Sequence, residues 1–454
     1  MSPAQAQVDT MTLLRGESTR RFTEFQQDAL YKRVIWRVMP LLLMCYGFSF
    51  IDRINVSFAK LQMASELGLS DAVYGLGAGI FFIGYFLMEL PSNLILERVG
   101  ARIWIARIMI TWGLISAAMM FVQSAASFYA LRFLLGAAEA GFFPGIILYL
   151  TYWFPSARRT KVLAAFFVCL PIAFTVAGPV SGYIMTGLHG VWGYSGWQWM
   201  FVAEALPTLV LGVLVWRYLD SRIEDAKWLS PEEKAVLQHN IAQDCAARTQ
   251  MPLMRVLADP RLWVFCLMYL GFQFGGVVVS FFSPQLIKES GVSDIARIGL
   301  LSGGLGLATI VATILIAHSS VRLREQRMHV VVLGAVGAAA LLGCAWLRHS
   351  AMPNQTIPMW VLLAITAGTL TGYLPVMWSL ITERFPGSAA AASIAIINAV
   401  SNLAGFTGPT MIGAIKSSTG SMAGGVALCA LFVALASLLM AFAGRPEFLR
   451  KNQE

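Results

Sequence analysis

Residues 141–155 read GFFPGIILYLTYWFP, and residues 372–386 read GYLPVMWSLITERFP. Gly, Pro, Thr, Phe and Pro coincide at a constant offset of 231. At the same offset SFIDR (49–53) faces SFFSP (280–284), and Gly178-Pro179 answers Gly408-Pro409 at an offset of 230. Three matches in one register, with a slip of a single residue, make the second half of the chain a copy of the first. A parallel repeat of this kind sets two similar helical bundles side by side, with any shared site near the midplane between them.

Composition says where such bundles live. Of 454 residues, 57% are hydrophobic and 13% are charged, and mean hydropathy is +0.67. A soluble domain carries about a quarter charged residues. A membrane-spanning helix needs about 20 mostly apolar residues. Twelve stretches qualify, over roughly 37–60, 72–96, 103–122, 127–153, 161–186, 198–219, 261–287, 297–319, 328–347, 358–381, 387–415 and 422–444. The expected fold is an all-α membrane protein, with twelve transmembrane helices in two six-helix pseudo-symmetric bundles. The long polar interruption at 220–260 divides them. The expected organisation is a cytoplasmic tail (1–36), a first bundle (37–219), a cytoplasmic connection (220–260), a second bundle (261–444) and a cytoplasmic tail (445–454).

The net charge of +9 raises the question of nucleic acid, and placement answers it. With the N-terminus inside the cell, 26 of the 33 basic residues fall on the cytoplasmic side and five on the other. This is the positive-inside bias of a plasma or inner membrane protein, so no nucleic acid is needed to explain the charge. Six cysteines form no C-x-x-C pair, and five lie in apolar runs. They read as small buried hydrophobes and not as a disulfide framework or a metal site. The N-terminus lacks the apolar core of a signal peptide. No paired metal ligands, nucleophile elbow or phosphate loop are present, so neither enzyme chemistry nor a cofactor is expected.

The two remaining basic residues, Arg53 and Arg132, lie inside spans. An ionisable side chain at membrane depth is expensive, and it commonly faces a cavity with a function to perform. The alternative is a buried ion pair that locks helices together. Asp52 and Arg53 sit side by side in span 1, about 100° apart around the helix, so each needs a partner elsewhere. Ser49, Ser57 and Asn55 make a wet patch around them. Arg132 and Glu139 are two turns apart on one face of span 4. Asp52 and Arg132 both fall in the outer half, which makes them a candidate gating pair. Glu89, Glu204 and the hydroxyl of Tyr85 read as structural or as cavity groups, the first two more readily as structural. Asn398 and Asn402 share one face of span 11 and either contact substrate or bridge to span 7. The repeat sharpens the contrast between the halves. Ser283, Pro284, Leu363 and Leu370 stand where the first half has Asp52, Arg53, Arg132 and Glu139.

These residues carry a resemblance. FSFIDRINVSFAKLQM (48–63), ELPSNLILERVGAR (89–102), RFLLGAAEAGFFPG (132–145), GWQWMFVAEALP (196–207) and EDAKWLSPEEKAVL (224–237) resemble the anion:cation symporters of the major facilitator superfamily. SFFSPQLIK (280–288) and PVMWSL (375–380) extend the likeness through the second half. That family includes bacterial tartrate, phthalate, 4-hydroxyphenylacetate and galactonate permeases. The resemblance implies proton-coupled uptake of an organic carboxylate by alternating access. It implies Asp52 and Glu139 as the proton-coupling pair. It also implies Arg53 and Arg132 as the cationic partners, one for the substrate carboxylate and one in the outer gate, and Tyr85, Trp378 and Asn398 as substrate contacts. Asn402 joins the candidate binding residues by the face it shares with Asn398. Phe50 and Leu170 are apolar where sugar-acid carriers tend to be polar, so an aromatic or small hydroxy acid is the expected cargo. The expected partners are that small anion, protons and the lipid bilayer, and the expected state is a monomer. Two other readings stay open at this point: a proton-driven exporter and a transporter-fold sensor.

Overall fold

A computed structural model describes residues 22–246, 253–323, 325–350, 354–385 and 388–443. It is almost wholly helical, and twelve helices cross the membrane. Eleven are long and apolar enough by composition: Glu24–Glu66, Asp71–Val99, Ala101–Phe121, Ala125–Thr151, Ser156–Gly187, Gly196–Tyr218, Pro260–Glu289, Ile295–Leu323, Arg327–Ser350, Thr356–Ile381 and Ala423–Phe442. The helix Ser388–Thr419 supplies the other and is span 11 of the series. Spans 1–6 form one bundle and spans 7–12 the other.

The opening repeat is visible as geometry. Span 4 is interrupted between Glu139 and Phe142, and span 10 between Gly372 and Leu374. Gly141 and Gly372 are repeat partners, so both halves break at the same place. At Gly141 the cause is clear. Its φ is +82°, which disfavours any residue with a Cβ, and an added Cβ would lie 2.4 Å from Ser92 Oγ of span 2.

The bundles meet along two helix pairs, span 5 with span 8 and span 2 with span 11. Small residues let the backbones touch. A Cβ on Gly178 would lie 2.5 Å from the Gly299 carbonyl, and one on Gly75 would lie 2.3 Å from the Pro409 carbonyl. Pro179 and Pro409 sit inside continuous helices. The two Gly-Pro steps, where the missing proline N–H leads one to expect a break in spans 5 and 11, are therefore close-contact points in unbroken helix. Gly178→Leu is expected to lower the thermal unfolding midpoint of detergent-purified protein, since overpacking costs about 1–3 kcal/mol. Gly187→Leu, where nothing lies within 4 Å of the added Cβ, is the silent control.

Two connections differ from the sequence expectation. The first helix begins at Glu24 and not near 37, because Thr23 and Gln26 form a capping box. That extension is packed: Tyr31 is buried, its ring lies under Arg158, and Arg33 pairs with Glu233. The connection after span 6 holds a helix, Pro231–Ala246. Trp228 stacks on Trp153 at 6.0 Å and donates to Asp220 at 2.8 Å. Asp244 accepts from the Ser156 backbone N–H at 3.1 Å. The connecting segment thus rides on the first bundle. Residues 445–454 lie outside the described residues.

Candidate functional site

Adjacent residues on span 1 face opposite neighbours, as their helical spacing requires. Arg53 points to spans 2 and 4. Its Nη2 donates to Glu139 Oε1 at 2.5 Å, and its guanidinium lies 5.3 Å from the Phe81 ring centroid and 5.4 Å from that of Tyr85. The Arg53 side chain is 28% exposed and that of Glu139 only 2%. The cation is therefore the reachable member of the pair. Glu139 is the last residue of its helical segment. The carbonyl end of a helix disfavours negative charge, which makes Glu139 depend on Arg53.

Arg132 is fully buried and pairs with no carboxylate. Its Nε donates to the Gly77 carbonyl and its Nη2 to the Ala78 carbonyl, both at 3.2 Å. Its guanidinium lies 4.9 Å from the Phe81 centroid, so Phe81 stands between two arginines at cation–π distance. Arg53 Nε and Arg132 Nη1 are buried donors without an acceptor. A buried polar group left unpaired is costly, and a charged one more so.

Asp52 is turned the other way. It accepts from Trp112 Nε1 at 2.7 Å, Thr208 Oγ1 at 2.9 Å and Ser116 Oγ at 3.1 Å. The expected gating pair of Asp52 with Arg132 therefore does not form. Asp52 faces spans 3 and 6 inside the first bundle, while Arg132 is tied to the backbone of span 2.

The other half contributes aromatic groups. Tyr269 meets Trp378 at 5.2 Å between centroids, and Tyr373 lies 4.6 Å from Phe272. Tyr46 of span 1 stacks on Phe143 at 4.8 Å. It lies within electrostatic reach of Arg53 and Glu139 on its own side and of Tyr269 across the cleft. Tyr85 is buried beside Arg53. Trp378, Asn398 and Asn402 are half-buried. Sequence reasoning missed Tyr46, Phe81 and Tyr269, and it read Glu89 as structural although Glu89 feels the charge of Arg53. One signal was present: Tyr46 is two turns before Arg53, and Phe81 and Glu89 flank Tyr85 at one-turn spacing. Tyr269 has no comparable mark.

The end of the molecule away from the termini is latched. Lys60 donates to Asp71 at 2.6 Å. Lys416 of the second bundle reaches Asp71 at 3.3 Å and Glu289 at 2.7 Å, and Arg348 reaches Glu289 at 3.2 Å. Lys288 donates to the Leu61 carbonyl at 3.0 Å and Tyr74 to the Phe281 carbonyl at 3.0 Å. With that end closed, the accessible side of Arg53 faces the cleft between the bundles.

Two pseudo-symmetric six-helix bundles around an ionic cleft define a transporter and not an enzyme. The chain belongs to the major facilitator superfamily, whose family model matches residues 42–409. It is 45% identical over 410 residues to a putative tartrate transporter of Agrobacterium vitis, covering 90% of each chain. It is 43% identical over 396 residues to the putative metabolite transport protein NicT of Pseudomonas putida, covering 87% of this chain and 89% of that one. In fold it is similar to a bacterial homologue of the human lysosomal transporter Spinster, with a TM-score of 0.72 at 16% identity, covering 90% of this chain and 96% of that one.

The latch carries a prediction of its own. Asp71→Asn leaves Lys60, only 5% exposed, and Lys416 without their shared carboxylate. Lys60 and Asp71 share a bundle, so their bond is lost in open and closed states alike, and Lys416 keeps Glu289. The bias toward opening comes from the partly exposed Lys416–Asp71 contact, worth about 1 kcal/mol. The variant is expected to favour the state opened at the Lys416 end. The measurement is labelling of a Phe281→Cys reporter by a membrane-impermeant thiol reagent added from that side. Asp71→Asn is expected to raise the labelling rate by about fivefold, and an unchanged rate would show that Asp71 does not hold the closed state.

Proposed function

We propose that the protein takes up an organic carboxylate together with protons by alternating access, working as a monomer with both termini in the cytoplasm. The observation that carries this reading is the pair of unfilled guanidinium donors on either side of Phe81, one of them on an arginine already held by a buried acid. An incoming carboxylate competes with Glu139 for Arg53. Once Arg53 turns to the anion, Glu139 is a buried carboxylate without its counter-ion, and it takes a proton. Anion and proton therefore load together, and the compensated site crosses the membrane when the bundles rock. Glu139 has the coupling role at the anion site and Asp52 is the second proton-coupling acid. Arg53 and Arg132 bind the carboxylate, and Tyr85 borders it.

Tyr46 and Tyr85 on one side and Tyr269 with Trp378 on the other favour an aromatic or small hydroxy acid, with Trp378, Asn398 and Asn402 as its contacts in the second bundle. The relatives named for tartrate transport and metabolite transport are consistent with a small organic anion. The placement of 26 basic residues against five supports the orientation.

The test is uptake of labelled carboxylates into proteoliposomes with an imposed inward proton gradient. Accumulation should follow the gradient and collapse with a protonophore. Uptake indifferent to the gradient, or a gradient that drives the anion out, overturns the reading.

A further inference from the structure

Behind span 1, on the side away from Arg53, a second acid stands close to Asp52. Glu204 of span 6 is 3% exposed. Its Oε1 accepts from Ser181 Oγ of span 5 at 2.6 Å, and its Oε2 is buried without a partner. Asn55 of span 1, one turn beyond Asp52, lies beside Glu204, and both of its amide atoms are buried and unpartnered. Thr208, one turn beyond Glu204 on span 6, donates to Asp52. The two carboxyls feel each other's charge, and Glu139 adds to the field at Asp52. The remaining groups facing Asp52 are the Trp112 and Ser116 donors of span 3. No cation lies within ion-pair distance of either acid among the described residues.

Two buried carboxylates without a cation cannot both be ionised at tolerable cost. The donors are divided unequally: three are in hydrogen-bond contact with Asp52, whereas Glu204 has Ser181 and only the looser approach of Asn55. The proton therefore belongs on Glu204 Oε2 in this conformation. We propose that Asp52 and Glu204 hold one proton between them, and that Glu204 is a positioning residue for the proton that Asp52 exchanges. This rests on the proton-coupled reading above, and it adds a second acid on the opposite face of span 1 from the anion site. The proton store and the anion site would then be separated by a single helix, so a rotation of span 1 changes both.

Infrared titration of the purified protein tests it directly. The pair should titrate in two steps, one below and one above neutral pH. The C=O stretch of a single protonated carboxyl is therefore expected at neutral pH in the wild type and should disappear in the upper step. Glu204→Gln and Asp52→Asn should each leave a single step. In proteoliposomes, wild-type uptake should keep an alkaline shoulder that Glu204→Gln loses, moving half-maximal uptake to lower pH by about one unit. If Glu204→Gln does not fold, Ser181→Ala removes the short hydrogen bond to Glu204 and should move a step to higher pH. A wild-type spectrum without the neutral-pH band, or the same steps in Glu204→Gln, overturns the pair. If the two steps are present but uptake ignores the proton gradient, the shared proton stands and proton coupling fails.

Discussion

Replacing Glu139 by glutamine is expected to abolish gradient-driven accumulation, by about a hundredfold or more, while exchange of anion for anion continues. Glutamine is close in shape and can still accept from Arg53, so the packing of spans 1 and 4 survives. What is lost is the ion-pair partner of Arg53 and the proton acceptor that answers when Arg53 turns to substrate. Truncating one member of a buried, hydrogen-bonded charge pair changes free energies by about 2–5 kcal/mol, and each 1.4 kcal/mol is about tenfold. With no carboxylate competing for Arg53, substrate affinity should become insensitive to pH and equal to or tighter than wild type. Counterflow of labelled substrate into preloaded vesicles, compared with uptake under a pH gradient, separates the two. Loss of both activities would make Glu139 a structural residue.

Arg53→Lys is expected to weaken carboxylate binding by about a hundredfold, seen as a matching rise in KM or as loss of ligand-induced thermal stabilisation. The charge is kept, but the planar fork that can hold Glu139 with one nitrogen and substrate with others is gone. A lysine ammonium must choose one partner. The same substitution at Arg132 should behave differently. Arg132 binds the Gly77 and Ala78 carbonyls, so Arg132→Lys should lower the unfolding temperature as well as affinity. Equal behaviour of the two variants would remove the distinction between a reachable anion ligand and a buried helix clamp.

The architecture was largely legible because its causes are local. Length, hydropathy and loop charge define spans, and the GFFPG and GYLPV segments carried the repeat that places the breaks at Gly141 and Gly372. The charged residues of the cleft were legible for the same reason, since a charge in an apolar helix stands out by itself. Their partners were not. Asp52 and Arg132 lie at similar depth, and depth alone paired them. The helical phase that turns Asp52 toward Trp112 and Thr208 depends on how spans 1, 3 and 6 pack. Glu204 was read as structural because it approaches the outer end of its span, and only the packing of spans 1, 5 and 6 brings it beside Asp52 and Ser181. The aromatic walls were invisible among 28 phenylalanines, 12 tyrosines and 13 tryptophans, because an aromatic residue that lines a cleft and one that faces lipid look alike in one dimension.

The docking of the Pro231–Ala246 helix gives experimenters a fixed handle. Because Trp228, Asp220 and Asp244 fasten the segment to the first bundle, a spectroscopic label there reports where that bundle is and nothing else. A probe at the exposed Gln243 and a second at the exposed Arg322, at the end of span 8 in the other bundle, would form a molecular ruler across the cleft mouth. The distance between them should shorten when that mouth closes and lengthen when it opens, so single molecules can be timed through the cycle without touching a residue of the site.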